Sequence, residues 1–354
     1  MSTDAHPSPT VPTTIGRVTI TDVARAAGVS VATVSKVING RYGVAPATSE
    51  RVLEVVEQLG YETSLVASSL RRGRTDVIGI LLAGFDPFAT ELLKGISTAA
   101  IGKGYELLAY SGAISDDNAV GWERRSLSRL GGTLFDGAII LTPTIAVPPS
   151  SVPVVAVDPH TGTGNASTIE SDNVGGARAA TRHLIELGHT RIAHVRGRTD
   201  LESAGLRERG YRDSLAEAGI PYDPELVRDG GYRAAWTLDA ARELLTLPDR
   251  PTAVFAANDL SAFGVLEVAN ELGLRVPQDL SIVGFDDIPE AASATPRLTT
   301  VAQPLQEMGA RAVSMLLALL EGRPAEAHVR LPSRLVVRKS TAPAPTVISP
   351  ATPS

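Results

Sequence analysis

The chain has no cysteine. That excludes disulfides and thiolate metal sites, and it fits a reducing compartment. No apolar run approaches the roughly 20 residues that a membrane span needs. The first sixteen residues, MSTDAHPSPTVPTTIG, lack the basic start and apolar core of a signal peptide. The expected location is therefore the cytoplasm, with no membrane partner. The six histidines are scattered, and His183 and His189 do not share a helix face at ligand spacing. No metal site is expected. The run GTGNAS at 162–167 lacks the last glycine and the following helix of a dinucleotide loop. No nucleophile elbow and no phosphate-binding loop with its lysine occur either. The expectation is a protein without a cofactor that is not an enzyme.

Strong positive charge is also missing. The net charge is −6, which argues against nonspecific coating of nucleic acid. Its distribution says more. Residues 17–74 carry eight Lys/Arg and five Asp/Glu, whereas residues 75–354 carry a net charge of −8. A small basic head sits on an acidic body, so attraction to phosphates belongs to the head.

The head is organised around VTITDVARAAGVSVATVS, residues 18–35. Ile20, Val23, Ala24 and Ala27 have the spacing of one helix face. Gly28 supplies the permissive backbone of a tight turn, and Ser30 suits a helix N-cap. Val34, Val37 and Ile38 form a second apolar face, with Ala32 and Lys36 pointing away from it. That short, small-sided surface with one cation is what a helix-turn-helix presents to the major groove. The competing reading is a helical hairpin buried in a larger domain. A third helix is expected from a Thr48 cap, through Val52, Val55, Val56 and Leu59, to Gly60.

From Val77 onward, short apolar runs alternate with helical stretches. VIGILL, ELLAY, DGAIIL and VPVVAV form one set of strands. RIAHV, LVRDG, TAVFAA and SIVGF form a second. Such runs are the buried parallel kind, and their alternation with helices implies doubly wound sheets. Two sets imply two lobes with a cleft between them.

The order TITDVARAAGVSVATVSKVING, a third helix ending LGY, and then VASSLRRGRT resembles the LacI (lac repressor) family of transcription regulators. The resemblance runs over residues 17 to 340. It implies an α/β chain: a three-helix helix-turn-helix head, a hinge helix, and a two-lobed periplasmic-binding-protein-like body. The expected divisions are a disordered tail at 1–16, the head at 17–60 and the hinge linker at 61–75. The body would span 76–340, and a disordered Pro-rich tail 341–354. Lobe 1 would hold about 76–170 and 303–330, and lobe 2 about 171–302 and 331–340. The family fold crosses between lobes three times, here near Glu170–Ser171, Thr300–Gln303 and Leu331.

The resemblance also assigns sites. Val31, Ala32 and Lys36 match the base-contacting set. The first two offer apolar contact to thymine methyls, and Lys36 a point donor to guanine. The family more often has Arg at that position, and Tyr where this chain has Thr21. Thr19, Ser30, Thr33, Ser35 and Asn39 suit phosphate contacts, with capping and turn formation as the alternative. In the linker, Leu70 matches the minor-groove wedge and Ala67 the close-packing position one turn earlier. Thr63-Ser64 replaces the family's usual Pro-Asn start.

For the cleft, ligands of open parallel sheets bind outside the carboxyl ends of strands. Asn258, Asp286, Asp158 and Tyr232 follow strands. Arg207 resembles the family's effector-gripping arginine and is expected, with Asp286, in strand-end loops of one lobe. Phe85, Asp86 and Phe88 follow the first strand and line the other wall. Helix capping competes for Asp86 and Asp158, and core packing for Phe85 and Phe88. Asp259 and Asp287 are expected to cap. The whole implies a homodimeric repressor on a pseudopalindromic double-stranded operator, released by a small effector, a sugar. A corepressor-type effector and a solute-binding protein are the rivals. Leu201 and Ser203 stand where the purine branch has Arg and Thr, which disfavours the former.

Overall fold

A computed structural model describes residues 18–38, 42–61, 74–112, 121–160 and 166–345. The chain divides into two compact units, Met1–Gly73 and Arg74–Ser354.

Among its described residues the first unit contains three helices, α1 (Ile20–Ala27), α2 (Val31–Ile38) and α3 (Pro46–Leu59). Thr19 and Asp22 form a reciprocal capping box at the start of α1. Gly28 closes α1 with φ 66°, a left-handed turn that glycine adopts without steric cost. The Thr33 amide donates to Ser30 Oγ at 3.1 Å, which starts α2. Val23, Ala24, Ala27, Val34 and Val52 are buried where the three helices meet. Thr48 is not the cap of α3. The helix starts two residues earlier at Pro46, after Ala45, because the fixed φ of proline suits the first helical position.

The second unit contains two six-stranded sheets. The first sheet holds β1 (Val77–Leu82), β2 (Glu106–Ser111), β3 (Gly137–Leu141), β4 (Val154–Val157), β5 (Ser167–Ser171) and β11 (His328–Leu331). Its spatial order is β11-β5-β4-β3-β1-β2, and all pairs are parallel. The second holds β6 (Ile192–Arg196), β7 (Val227–Asp229), β8 (Ala253–Ala256), β9 (Ser281–Asp286), β10 (Thr299–Ala302) and β12 (Arg334–Val336). Its order is β12-β10-β9-β8-β6-β7, and only β12 runs antiparallel to its neighbour.

Each sheet is covered on both faces, which is why its central strands read as unbroken apolar runs. Alternate residues serve opposite faces. In the first sheet Ile78, Ile80 and Leu82 meet α4 (Pro87–Ala100) and α11 (Leu305–Leu320). Val77 and Leu81 meet α5 (Trp122–Leu130). In the second, Ala253 and Phe255 face α6 (Asn173–Glu186) and α7 (Glu202–Glu217). Val254 and Ala256 face α8 (Ala234–Leu245) and α9 (Asp259–Glu271). Helices α4 and α11 approach at glycines. A Cβ on Gly95 would lie 2.0 Å from the Gln306 carbonyl oxygen, and one on Gly309 would lie 2.4 Å from that of Leu92.

The chain passes between the sheets three times, from β5 to α6, from β10 to α11, and from β11 to β12. The tail expected to begin at 341 does not start there. Ala342 donates its amide to Ser281 Oγ at 3.0 Å, and Ala344 donates to the Leu187 carbonyl at 2.8 Å. These bonds hold residues 342 and 344 against Ser281 in β9 and against Leu187 at the end of the helix before β6. Among the described residues no helix is long and apolar enough to cross a membrane.

Candidate DNA-reading and effector sites

On α2, Val31, Ala32 and Lys36 are exposed, while Val34 is fully buried. The apolar face anchors the helix and leaves a small-sided strip open, as groove entry requires. Thr19 and Ser30 have their hydroxyls committed to helix starts. Thr19 Oγ1 donates to Asp22 Oδ2 at 2.6 Å, and the Ser30 and Thr33 hydroxyls bond each other at 2.9 Å. Ser35 is half-buried on the same helix. Asn39, Ala67 and Leu70 lie outside the described residues.

The eight effector candidates line one cavity of about 880 Å³ between the two sheets. Phe85, Asp86 and Phe88 follow β1, and Asp158 follows β4. Tyr232, Asn258 and Asp286 come from the ends of β7, β8 and β9 on the opposite wall. Arg207 differs from the expectation. It lies inside α7 rather than in a strand-end loop, and its buried side chain lines the cavity from that helix.

Among the described residues six non-glycine residues have positive φ, and four of them line this cavity: Thr142, Asp158, Tyr232 and Asp286. Each ends or follows a strand, so backbone strain is concentrated at the strand ends that shape the site.

Arg207 is only 3% exposed. Its Nε donates to Asn173 Oδ1 at 2.8 Å and its Nη1 to the Ala257 carbonyl. The guanidinium stacks 3.8 Å from the centre of the Phe285 ring. These contacts fix a planar fork whose Nη1 is 3.6 Å from Asp286 Oδ1. Asp286 is 5% exposed and accepts from Gln303 Nε2 at 2.7 Å. Burial pushes its carboxyl well above the usual carboxylate range, against the pull of Arg207 and Gln303. The site therefore holds a rigid cation beside a carboxyl whose charge is poorly solvated.

Asn258 does two jobs. Its Oδ1 caps α9 by accepting from the Ser261 amide at 2.9 Å, and its Nδ2 donates to the Tyr232 carbonyl at 3.2 Å. Asp86 caps α4 through the Ala89 amide at 2.8 Å while lining the cavity, and burial raises its pKa. Phe88 both packs on the first core and lines the cavity. Phe85 is exposed, so core packing does not account for it. Asp259 and Asp287 are not caps. Asp259 is fully buried and accepts from Thr300 Oγ1 and the Ile288 amide, while Asp287 pairs with Arg338 at 2.6 Å. The neighbouring Asn258 takes the capping position instead.

Sequence reasoning missed part of the lining. Thr142, Thr144 and His160 follow β3 and β4, and the strand-end rule alone would have found them. His160 is buried, which pulls its pKa down and favours the neutral ring. Ser203 Oγ bonds the Tyr232 hydroxyl at 2.9 Å and sits 3.4 Å from His160 Nδ1. Arg198, Arg233, Trp122 and Trp236 complete the charged and aromatic lining. Among the described residues no cluster of His, Asp and Glu could hold a metal ion.

Comparison with known proteins gives two family matches. Residues 19–64 match "Bacterial regulatory proteins, lacI family", and residues 181–341 match "Periplasmic binding protein-like domain". The ribose operon repressor of Escherichia coli (strain K12) is 36% identical over 307 residues, covering 84% of this chain and 92% of the relative. A structure of a lac repressor dimer bound to operator and an anti-inducer matches with TM-score 0.76 at 30% identity, covering 92% of this chain and 99% of that one. A complex of the transcriptional regulator CelR with cellobiose matches with TM-score 0.68 at 33% identity, covering 92% and 100%.

Proposed function

This chain belongs to the LacI family of bacterial regulatory proteins, and we propose that it is a homodimeric cytoplasmic repressor released from its operator by a sugar. One observation carries the effector half of this reading. All eight residues singled out in the sequence converge on one cavity, with buried polar groups at its base and aromatic rings beside them. Sugar sites need that combination, because hydroxyls demand paired donors and acceptors while the C–H faces demand apolar contact. The relatives named for ribose and cellobiose support it.

In this reading Arg207 and Asp286 hold vicinal hydroxyls, Arg207 as donor and Asp286 as acceptor. Asn258, Asp158 and Asp86 supply further polar contacts, and Tyr232, Phe85 and Phe88 supply apolar ones. On the DNA side, Val31 and Ala32 meet thymine methyls and Lys36 meets guanine. Thr19, Ser30, Thr33 and Ser35 lie beside phosphates. Two heads read a pseudopalindrome, which is why a dimer is needed. No catalytic step is part of this function.

The test is release from DNA. Labelled DNA from upstream of the coding sequence is bound by the full-length protein and challenged with a panel of sugars. At least one sugar is expected to release it. Retention against every sugar, together with tighter DNA binding on addition of a purine, would transfer the site to a corepressor.

A further inference from the structure

The effector cavity has two chemically different ends. Its polar groups, Arg207, Asp286 and Asn258, are buried. Phe85 and Trp236 line the same cavity yet are 62% and 49% exposed. They come from opposite walls, Phe85 from the loop after β1 and Trp236 from the first turn of α8. The chain is poor in aromatic residues, with six Phe, seven Tyr and two Trp among 354 residues. Both tryptophans nevertheless line this one cavity. Neither Phe85 nor Trp236 belongs to a hydrophobic core cluster. Trp236 stays half exposed even with the Arg233 guanidinium 5.0 Å from its ring centre.

Size points the same way. A hexose has about twelve non-hydrogen atoms and a disaccharide about twenty-three. Even at about 30 Å³ per atom, the share of a whole water molecule, these occupy at most about 360 and about 690 Å³. The cavity holds 880 Å³. A single ring would fill less than half of that volume, and two rings most of it.

We propose that the effector is a glycoside of at least two residues, with its inner ring on Arg207, Asp286 and Asn258 and its next residue against Phe85 and Trp236. This rests on the sugar reading and deepens it. The aromatic pair then sets selectivity. A monosaccharide reaches only the buried end, whereas a disaccharide adds stacking of its second ring on exposed aromatic faces. Because both side chains stand outside the core clusters, truncating them leaves the fold intact.

Calorimetric titration of the full-length protein tests this with matched probes: glucose, galactose and ribose against cellobiose, maltose and lactose. One disaccharide is expected to bind at least tenfold more tightly than its own monosaccharides. Phe85→Ala and Trp236→Ala should each weaken that disaccharide about fivefold or more, the worth of about 1 kcal/mol of stacking. Monosaccharide binding should stay within twofold in Trp236→Ala. Equal affinity for a monosaccharide and its disaccharide, or unchanged disaccharide affinity in both variants, overturns the inference while leaving the sugar reading intact. Binding of no probe by wild type, with Arg207→Ala indistinguishable from it, overturns both.

Discussion

Gln303 Nε2 donates to Asp286 Oδ1 at 2.7 Å, and Gln303 Oε1 accepts from Ser171 Oγ. Asp286 lines the effector cavity at the end of β9. Gln303 lies on the crossing between β10 and α11, and Ser171 ends β5 at the crossing into α6. One buried amide thus joins the floor of the site to two of the three passages between the lobes. Asp286, Gln303 and Ser171 form one hydrogen-bonded path from the cavity to the crossings. Gln303→Leu keeps the volume and removes both bonds. Sugar binding should stay within a few-fold, and the ratio of operator affinities without and with sugar should collapse toward one. The buried Asp286 loses a partner, so stability should fall by about 1–3 kcal/mol, read by urea unfolding. An unchanged affinity ratio would remove Gln303 from the coupling.

Arg207→Ala and Asp286→Ala should bind operator as wild type does and fail to release it with sugar. Removing either group leaves a sugar hydroxyl in the cleft without its partner, which costs more than the contact itself. Titration on labelled operator separates the outcomes. Normal release by both variants would remove them from the site, and loss of DNA binding by both would give them a folding role instead.

Lys36 is the exposed cation on the outer strip of α2. If it reads guanine, Lys36→Ala should cost about 1–3 kcal/mol of specific affinity and relax selectivity at one base pair. Lys36→Arg should strengthen that contact, because a guanidinium binds guanine with a bidentate fork. Competition among operator variants, measured at one fixed salt concentration, provides the readout. Equal losses on every sequence would mean that Lys36 meets a phosphate instead.

His194 gives a pH signature. Its Nδ1 donates to the Phe255 carbonyl at 2.9 Å, and its ring lies between Tyr211 and Phe255 at 5.1 and 4.9 Å. Nε2 is buried without a hydrogen-bond partner, and burial lowers the pKa to about 4. The unfolded chain binds this proton near pH 6.5, before the folded one does, so stability falls as pH drops from about 6.5 toward about 4. The loss reaches roughly 3 kcal/mol at the lower end. Burial raises the pKa of Asp286 and Asp259, which works in the opposite direction. The wild type must therefore be compared with His194→Phe, whose ring fits the same stack. The variant should lose less stability between pH 7.5 and pH 5 in urea unfolding. Parallel losses would show that His194 does not titrate this way.

Much of this was legible in the sequence for definite reasons. Parallel strands buried on both faces leave unbroken apolar runs, so VIGILL and SIVGF announce themselves as β1 and β9. The strand-end rule led to Asp158, Asn258 and Asp286. Arg207 was misplaced even though helical periodicity around 204–218 already enclosed it. Gln303 was seen only as a lobe crossing. Its bond to Ser171 spans 132 residues of sequence, and no local pattern encodes such a contact. The caps show the limit of single-residue rules, since Pro46 overrode Thr48 and Asn258 displaced Asp259.

In the proposed function, sugar in the cleft and operator on the heads weaken each other's binding, and linkage makes that effect reciprocal. The sugar dissociation constant is measured by calorimetry on the free protein and again on the protein saturated with operator duplex. The operator dissociation constant is measured without sugar and again at saturating sugar. Both constants should rise by the same factor. A sugar that fills the cleft while leaving operator affinity unchanged would contradict that coupling.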